Sequence, residues 1–581
     1  MNIPKYIFLI SLFLINFISI SAQPELKFEE NQSLTWKETI EYYKFLDEKH
    51  SKALLMEAGL TDIGKPLHLF LISGDTIFTP ELARKEGKSV LFINNGIHPG
   101  EPCGIDASIL FAEEILSNPE KYEEVLNNLV IAIIPVLNVG GSLNRSEFHR
   151  ANQNGPIKQG FRGNAKNMDL KRDLIKMDTE NVRSLVRVLR IWNPDILIDT
   201  HTSNGADYPY VLTLITTQKD KLNLPLSDFL YEDMLPRIYN EMEAGPYKIV
   251  PYVQNRDYRN PESGIIAFMD HPRYTTGYAS LFNTIGFTTE AHMFKNFEDR
   301  VLSTYHFIHT VSGYAAKNNE KIRIVRDLTQ SQLMNKREFV LGWELDTSSY
   351  ETLNFRGYKM KPGISQLTGQ ANYSFNRDSV WEKEIKNYTN YKPVKKVIAP
   401  DFYILPQAWK EVVERLKINK VEFFSLLKDT SLYVEYYQIL DYETYSNPYN
   451  GHYKHFNTRV IPYKGKLDFH KGDLLIPLNQ EAREYLVQVL EPEGEDSFFN
   501  WNFFDSILSR KEYFSPYVFE AKAMEILAMD SELQKEFNSK KEEDPDFASN
   551  HYDQLKFIYE HSSYAENVYK RYPVARLFID K

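Results

Sequence analysis

Four short runs in the first 200 residues are apolar at almost every position: 66–73 (PLHLFLIS), 89–94 (SVLFIN), 129–136 (LVIAIIPV) and 195–200 (DILIDT). A strand with one face in water alternates apolar and polar residues, whereas a strand covered on both faces does not need to. These runs therefore predict buried strands. Helical periods lie between them, at 104–116 and 179–192; in the second, Val182, Leu185, Val186, Val188 and Leu189 fall on one helical face. Strand and helix in alternation predict an α/β fold with a doubly covered, mostly parallel mixed sheet.

The texture changes near residue 318. Charged and aromatic residues increase, strand patterns appear at 339–345 and 432–439, and 403–416 passes from strand to helix. A helical tail is expected from about Ser515, with KKEEDPD at 540–546 as a solvated loop. The chain thus divides on pattern into a first unit over 23–320 and a second, mixed α+β unit over 321–581. No function is assigned to the second.

The amino terminus adds an address. Lys5 precedes an apolar run at 6–20, then small residues Ser19, Ser21 and Ala22. That layout predicts a signal peptide over 1–22 and an exported protein, periplasmic or extracellular. No later stretch is apolar enough to span a bilayer, so no stable membrane insertion is expected after cleavage. The single cysteine, Cys103, rules out an intramolecular disulfide and is read as a small buried side chain. A formal net charge of −11 argues against a nucleic-acid partner, because no basic excess is present to neutralise phosphates.

Chemistry concentrates where the second run ends. Residues 94–101 read Asn-Asn-Gly-Ile-His-Pro-Gly-Glu, which places His98 and Glu101 three apart on a Pro-Gly turn. Imidazole and carboxylate suit Zn²⁺, which catalytic sites hold through three protein ligands and a water. His201 closes the run at 195–200, and Glu290 follows the short β-like run 286–289. The carboxyl ends of strands in open α/β sheets are where active-site crevices form. His452, His455 and His470 lack an acidic residue at obvious spacing and are not read as a second metal site.

This array resembles the zinc carboxypeptidase superfamily. The resemblance rests on His98-Pro99-Gly100-Glu101, on His201 after a buried strand, on Glu290 in Phe287-Thr288-Thr289-Glu290, and on the segment 167–173 (NMDLKRD), and it covers roughly residues 40–315. It implies one zinc per chain on His98, Glu101 and His201, with Glu290 as general base. It further implies that Asp169 orients His98, that Arg172, with Lys171 beside it, holds the substrate's terminal carboxylate, and that Arg150, or in its place Arg162, steadies the oxyanion. Tyr274 would cover the substrate. Where the family carries asparagine beside its carboxylate-binding arginine, this chain has Lys171. The expected activity is hydrolysis of a peptide bond near the C-terminus of peptides. Lys171 keeps open a zinc amidohydrolase acting on N-acyl amino acids or cell-wall peptides; a non-catalytic binding protein of the same fold is the third reading.

Overall fold

Eight strands build the main sheet: β1 (Ala53–Leu60), β2 (Pro66–Ile72), β3 (Ser89–Asn94), β4 (Leu129–Ile134), β5 (Ile196–Ser203), β6 (Leu212–Thr216), β7 (Ile249–Pro251) and β8 (Ile285–His292). Across the sheet they run β1-β2-β4-β3-β5-β8-β6-β7. The computed structural model describes residues 24–203, 205, 207–257 and 260–579, so the expected signal peptide at 1–22 lies outside the described residues. The four central strands, β4, β3, β5 and β8, are parallel neighbours. Antiparallel pairs β1/β2, β2/β4 and β8/β6 flank them, and β6/β7 is parallel again. The sheet is mixed with a parallel centre.

Successive residues of the central strands enter two different cores. Leu91, Ile93, Ile131, Ile133, Ile196 and Ile198 pack under helices α1 (Trp36–Lys49), α2 (Cys103–Ser117) and α4 (Phe297–Lys317). Phe92, Val130, Ala132 and Leu197 pack on the opposite side with helix α3 (Glu180–Trp192). Both faces are covered, which is why the runs are apolar throughout rather than alternating. Helix α3 starts where the Thr179 side chain accepts from Val182 N and stops at Asn193 in the left-handed conformation. Its Val182, Leu185, Val186, Val188 and Leu189 stripe is buried.

In the order of the sheet, β4 lies on one side of β3 and β5 on the other. The chain therefore reverses its direction of winding at β3, and a crevice opens beyond the carboxyl ends of β3 and β5.

Beyond Lys317 a second helix, Asn319–Asn335, follows directly. Residue 320 falls in its first turn, and its Arg326 bonds back to Asp195 and to the Asn283 carbonyl of the first half. The later residues form a long hairpin, Glu351–Ile364 with Ala371–Tyr388, and a six-stranded antiparallel sheet. The core on the α3 side continues into them through Val412, Leu416, Tyr485 and Trp501. The tail is helical over Pro516–Met529, Ser531–Glu543, Pro545–Ser549 and His551–Glu560. The loop expected at 540–546 is thus mostly helix. Lysine and glutamate are good helix formers, and Asp544 caps the next short helix through Asp546 N and Phe547 N. Among the described residues no helix is long and apolar enough to cross a membrane.

Candidate metal centre and substrate cavity

After β3 the chain turns through Gly96, at φ +65, and reaches His98 and Glu101 before entering α2. Gly104, in the first turn of α2, lies so close to β5 that a Cβ there would overlap Thr200 Oγ1. Only glycine allows that approach, and it brings the 98–101 turn against the end of β5. On β5, Asp199 and His201 share a face because a strand's side chains repeat every second residue. Parallel pairing sets Glu290 of β8 opposite His201.

Three donor atoms converge. His98 Nδ1 and His201 Nδ1 are 3.1 Å apart, and Glu101 Oε2 stands 3.2 and 3.0 Å from them. Each ring is anchored through its other nitrogen: His98 Nε2 meets Asp169 Oδ1 at 2.9 Å, and His201 Nε2 meets Asp199 Oδ2 at 2.8 Å. If both Nε2 atoms carry their protons toward these carboxylates, both Nδ1 atoms present lone pairs to one another and to a carboxylate oxygen. Such a set repels itself unless a positive charge lies between, either a metal ion or a proton on one of the Nδ1 atoms. Tetrahedral bonds of about 2.0–2.1 Å would put ligand atoms about 3.3 Å apart, close to the spacing found. His98, Glu101 and His201, all buried, form the group among the described residues able to hold a metal ion.

Glu101 divides its two oxygens. Oε2 faces the histidines and accepts from Thr202 N at 3.1 Å, while Oε1 accepts from Arg150 at 2.8 Å and Arg162 at 3.2 Å. Burial alone would raise the Glu101 carboxyl, but His98 and Arg150 beside it hold it well below the usual carboxylate range. Partial burial likewise opposes ionisation of Asp169, yet His98 and Arg162 hold it low. Asp199 is buried and held low by His201. Burial and Lys171 push the His201 imidazole down; Asp199 and Glu101 outweigh them and bring it to about 9.

A cavity of about 180 Å³ opens over the three donors, lined also by Glu290, Lys171, Arg172, Tyr252, Phe268 and Tyr274. The Arg172 guanidinium lies over the Tyr274 ring, 4.8 Å from its centroid, and its buried Nη1 has no acceptor among the described residues. Burial lifts the Tyr274 phenol to about 12. Lys171, only 8% exposed, sends its ammonium to Glu290 Oε1 at 3.4 Å. Its neighbour is the glutamate rather than Arg172. A second cavity of about 240 Å³ shares Ile215, Tyr252 and Phe268 with the first and continues between Tyr231, Tyr239 and Pro236. Cys103 is buried, and burial pushes its thiol up.

Sequence reasoning passed over Asp199, Tyr252 and Phe268. Asp199 had a usable signal, since two residues before His201 on a strand means the same face. Tyr252 and Phe268 had none, because neither lies in a motif. The histidines of the second half do find carboxylates, His452 with Asp178 and His455 with Asp505, but each partner comes from far along the chain.

Residues 39–194 match the zinc carboxypeptidase family, a stretch that contains His98, Glu101 and Asp169. Carboxypeptidase 2 of Trichophyton rubrum is 20% identical over 425 residues, covering 70% of this chain and 72% of that protein. Carboxypeptidase 2 of Trichophyton equinum is 20% identical over 435 residues with the same coverage. Among solved structures, the metallo-carboxypeptidase of Burkholderia cenocepacia superposes on 50% of this chain and 70% of its own with a TM-score of 0.37 at 15% identity. The family match over residues 39–194 and the carboxypeptidase relatives agree: this stretch is similar to zinc carboxypeptidases, and together they support a hydrolase of that type.

Proposed function

We propose that the protein is an exported, zinc-dependent metallocarboxypeptidase that cleaves a peptide bond near the C-terminus of its substrate. His98, Glu101 and His201 would hold one zinc ion, with Asp169 and Asp199 fixing the two rings. When bound, zinc supplies Lewis acidity toward a water molecule and the scissile carbonyl. Glu290 projects into the same cavity and takes the water's proton, later handing it to the leaving amine. Lys171 steadies the Glu290 carboxylate through their 3.4 Å contact. A guanidinium carries five N–H donors, so Arg150, bonded to Glu101 through Nη1, has others to offer a developing oxyanion. Arg162 completes the cationic wall.

The observation that carries the carboxypeptidase reading is the buried Arg172 Nη1 without an acceptor. A planar guanidinium stacked on Tyr274 and short of one partner suits a carboxylate. The adjoining aromatic cavity supports a preference for an apolar side chain next to that carboxylate. Purified protein should carry about one zinc per chain, and peptides with a free C-terminus should be cleaved at least about tenfold faster than the same peptides amidated. Equal rates on both would overturn the carboxypeptidase reading, as would cleavage confined to N-acyl amino acids.

A further inference from the structure

The segment that carries Asp169 is gripped from the far end of the chain. Between the strands Thr430–Thr444 and His455–Phe469, Tyr449 and His452 close a tight turn, with Tyr449 N donating to His452 O at 2.7 Å and His452 N to Tyr449 O at 3.2 Å. Its two central residues, Asn450 at φ +49 and Gly451 at φ +89, are both left-handed. Asn-Gly is the pair that adopts this geometry most readily.

The turn is used as a bracket. Asn450 Oδ1 accepts from Asp169 N at 2.8 Å, and Asn450 Nδ2 donates to Asp169 O at 3.1 Å. The amide thus pairs with both backbone groups of one residue, as a neighbouring strand would. That residue's side chain meets His98 Nε2 and also accepts from Lys171 N at 3.0 Å. The turn is itself anchored: His452 Nε2 meets Asp178 Oδ2 at 2.8 Å, and Tyr449 stacks on Trp501. Trp501 Nε1 donates to Asp496, which accepts from Arg273 N at 2.9 Å, next to Tyr274. The second half therefore holds both the segment behind His98 and the segment that bears Tyr274.

We propose that the Asn450-Gly451 turn is a positioning element of the metal centre, which fixes Asp169 against His98 and so makes zinc retention depend on the C-terminal half. This rests on the zinc reading above. Asn450 contacts neither metal nor substrate; it acts through Asp169.

The test uses the full-length protein. Asn450→Gly keeps the left-handed turn and deletes both side-chain hydrogen bonds; Asp169→Ala removes the anchor of His98; the double variant combines them. Zinc dissociation constants are measured by competition with a chelator, and melting temperatures on metal-free protein. Asn450→Gly should raise the zinc Kd about tenfold or more, the range for lost support behind a ligand. Its metal-free melting temperature should stay within about 2 °C of wild type, and it should add little to Asp169→Ala, because both changes act on one pair. Asp169→Ala weakening zinc while Asn450→Gly does not would overturn the proposal and leave the zinc reading intact. Additive effects in the double variant would overturn it too, as would a lowered melting temperature with unchanged zinc affinity. If the wild type itself binds no zinc, the reading beneath it falls as well.

Discussion

The two histidines of the candidate metal centre are held in opposite ways. The partner of His201 is Asp199, two residues away on the same strand, fully buried and also accepting from Asn94 Nδ2 at 2.9 Å. The partner of His98 is Asp169, 71 residues away, the N-cap of a single turn of 3₁₀ helix, with its side chain 21% exposed. One arm is set by strand periodicity alone. The other depends on a loop, and the loop depends on Asn450, 281 residues further on. The carboxyl end of a central strand thus supplies half of the candidate centre, and a surface assembled from both halves of the chain supplies the rest.

The largest expected effect leaves both arms untouched. Glu290→Gln keeps His98, Glu101, His201 and their carboxylates, so zinc content should stay near one per chain while turnover falls by roughly 10²–10⁴-fold. Metal analysis beside steady-state rates decides this. Unchanged turnover would remove Glu290 from the chemistry.

Asp199→Ala beside Asp169→Ala separates the two arms. Each should weaken zinc binding about 10–100-fold. Their effects on folding should differ. Asp199→Ala strips a buried charge-assisted pair and leaves the Asn94 amide without its acceptor, a loss of about 3–5 kcal/mol. Asp169→Ala acts on a partly exposed turn and should cost about 1–2 kcal/mol. Urea unfolding of the metal-free variants reads the difference; equal losses would show that the two arms are held alike. A smaller effect is expected of Lys171→Asn, which alters neither arm. Zinc affinity should stay within about threefold, while turnover falls about tenfold as Glu290 loses its charged neighbour. A variant as active as wild type would make Lys171 a bystander.

The same contrast explains what the sequence disclosed. Strands β3, β4 and β5 were legible to within three residues at either end, because double burial writes an unbroken apolar run. His98, Glu101 and His201 were legible because all three stand at the ends of such runs. The pairing of Asp169 with His98 came only through resemblance, and Asn450 not at all. Its Asn-Gly step announces a turn, but nothing in a turn names a partner hundreds of residues away. Strands β6 and β7, the last two at one side of the sheet, short and interrupted by Thr and Pro, left no periodic signal. The helical tail was expected, but the last turn of its helix Ser531–Glu543 was read as a loop, because that helix is polar nearly all round, with Leu533 its one buried residue.

The smallest effect concerns the anchor of the turn. Asp178 takes hydrogen bonds from His452, Lys176 and Arg415. Burial opposes its ionisation, but His452 and Lys176 beside it hold its carboxyl well below the usual range. A carboxyl lowered in the folded state contributes stability above its unfolded pKa of about 3.9 and loses that contribution as pH falls toward the folded value. Wild-type metal-free protein should therefore lose stability between about pH 5 and 3 more steeply than Asp178→Asn, by at most about 1.4 kcal/mol per pH unit for one proton. Melting temperatures across that range, at fixed ionic strength, give the slope. Parallel profiles would mean that the charge of Asp178 does not anchor the turn, leaving the Tyr449–Trp501 stack as its support and placing the bracket on Asp169 among apolar rather than ionic contacts.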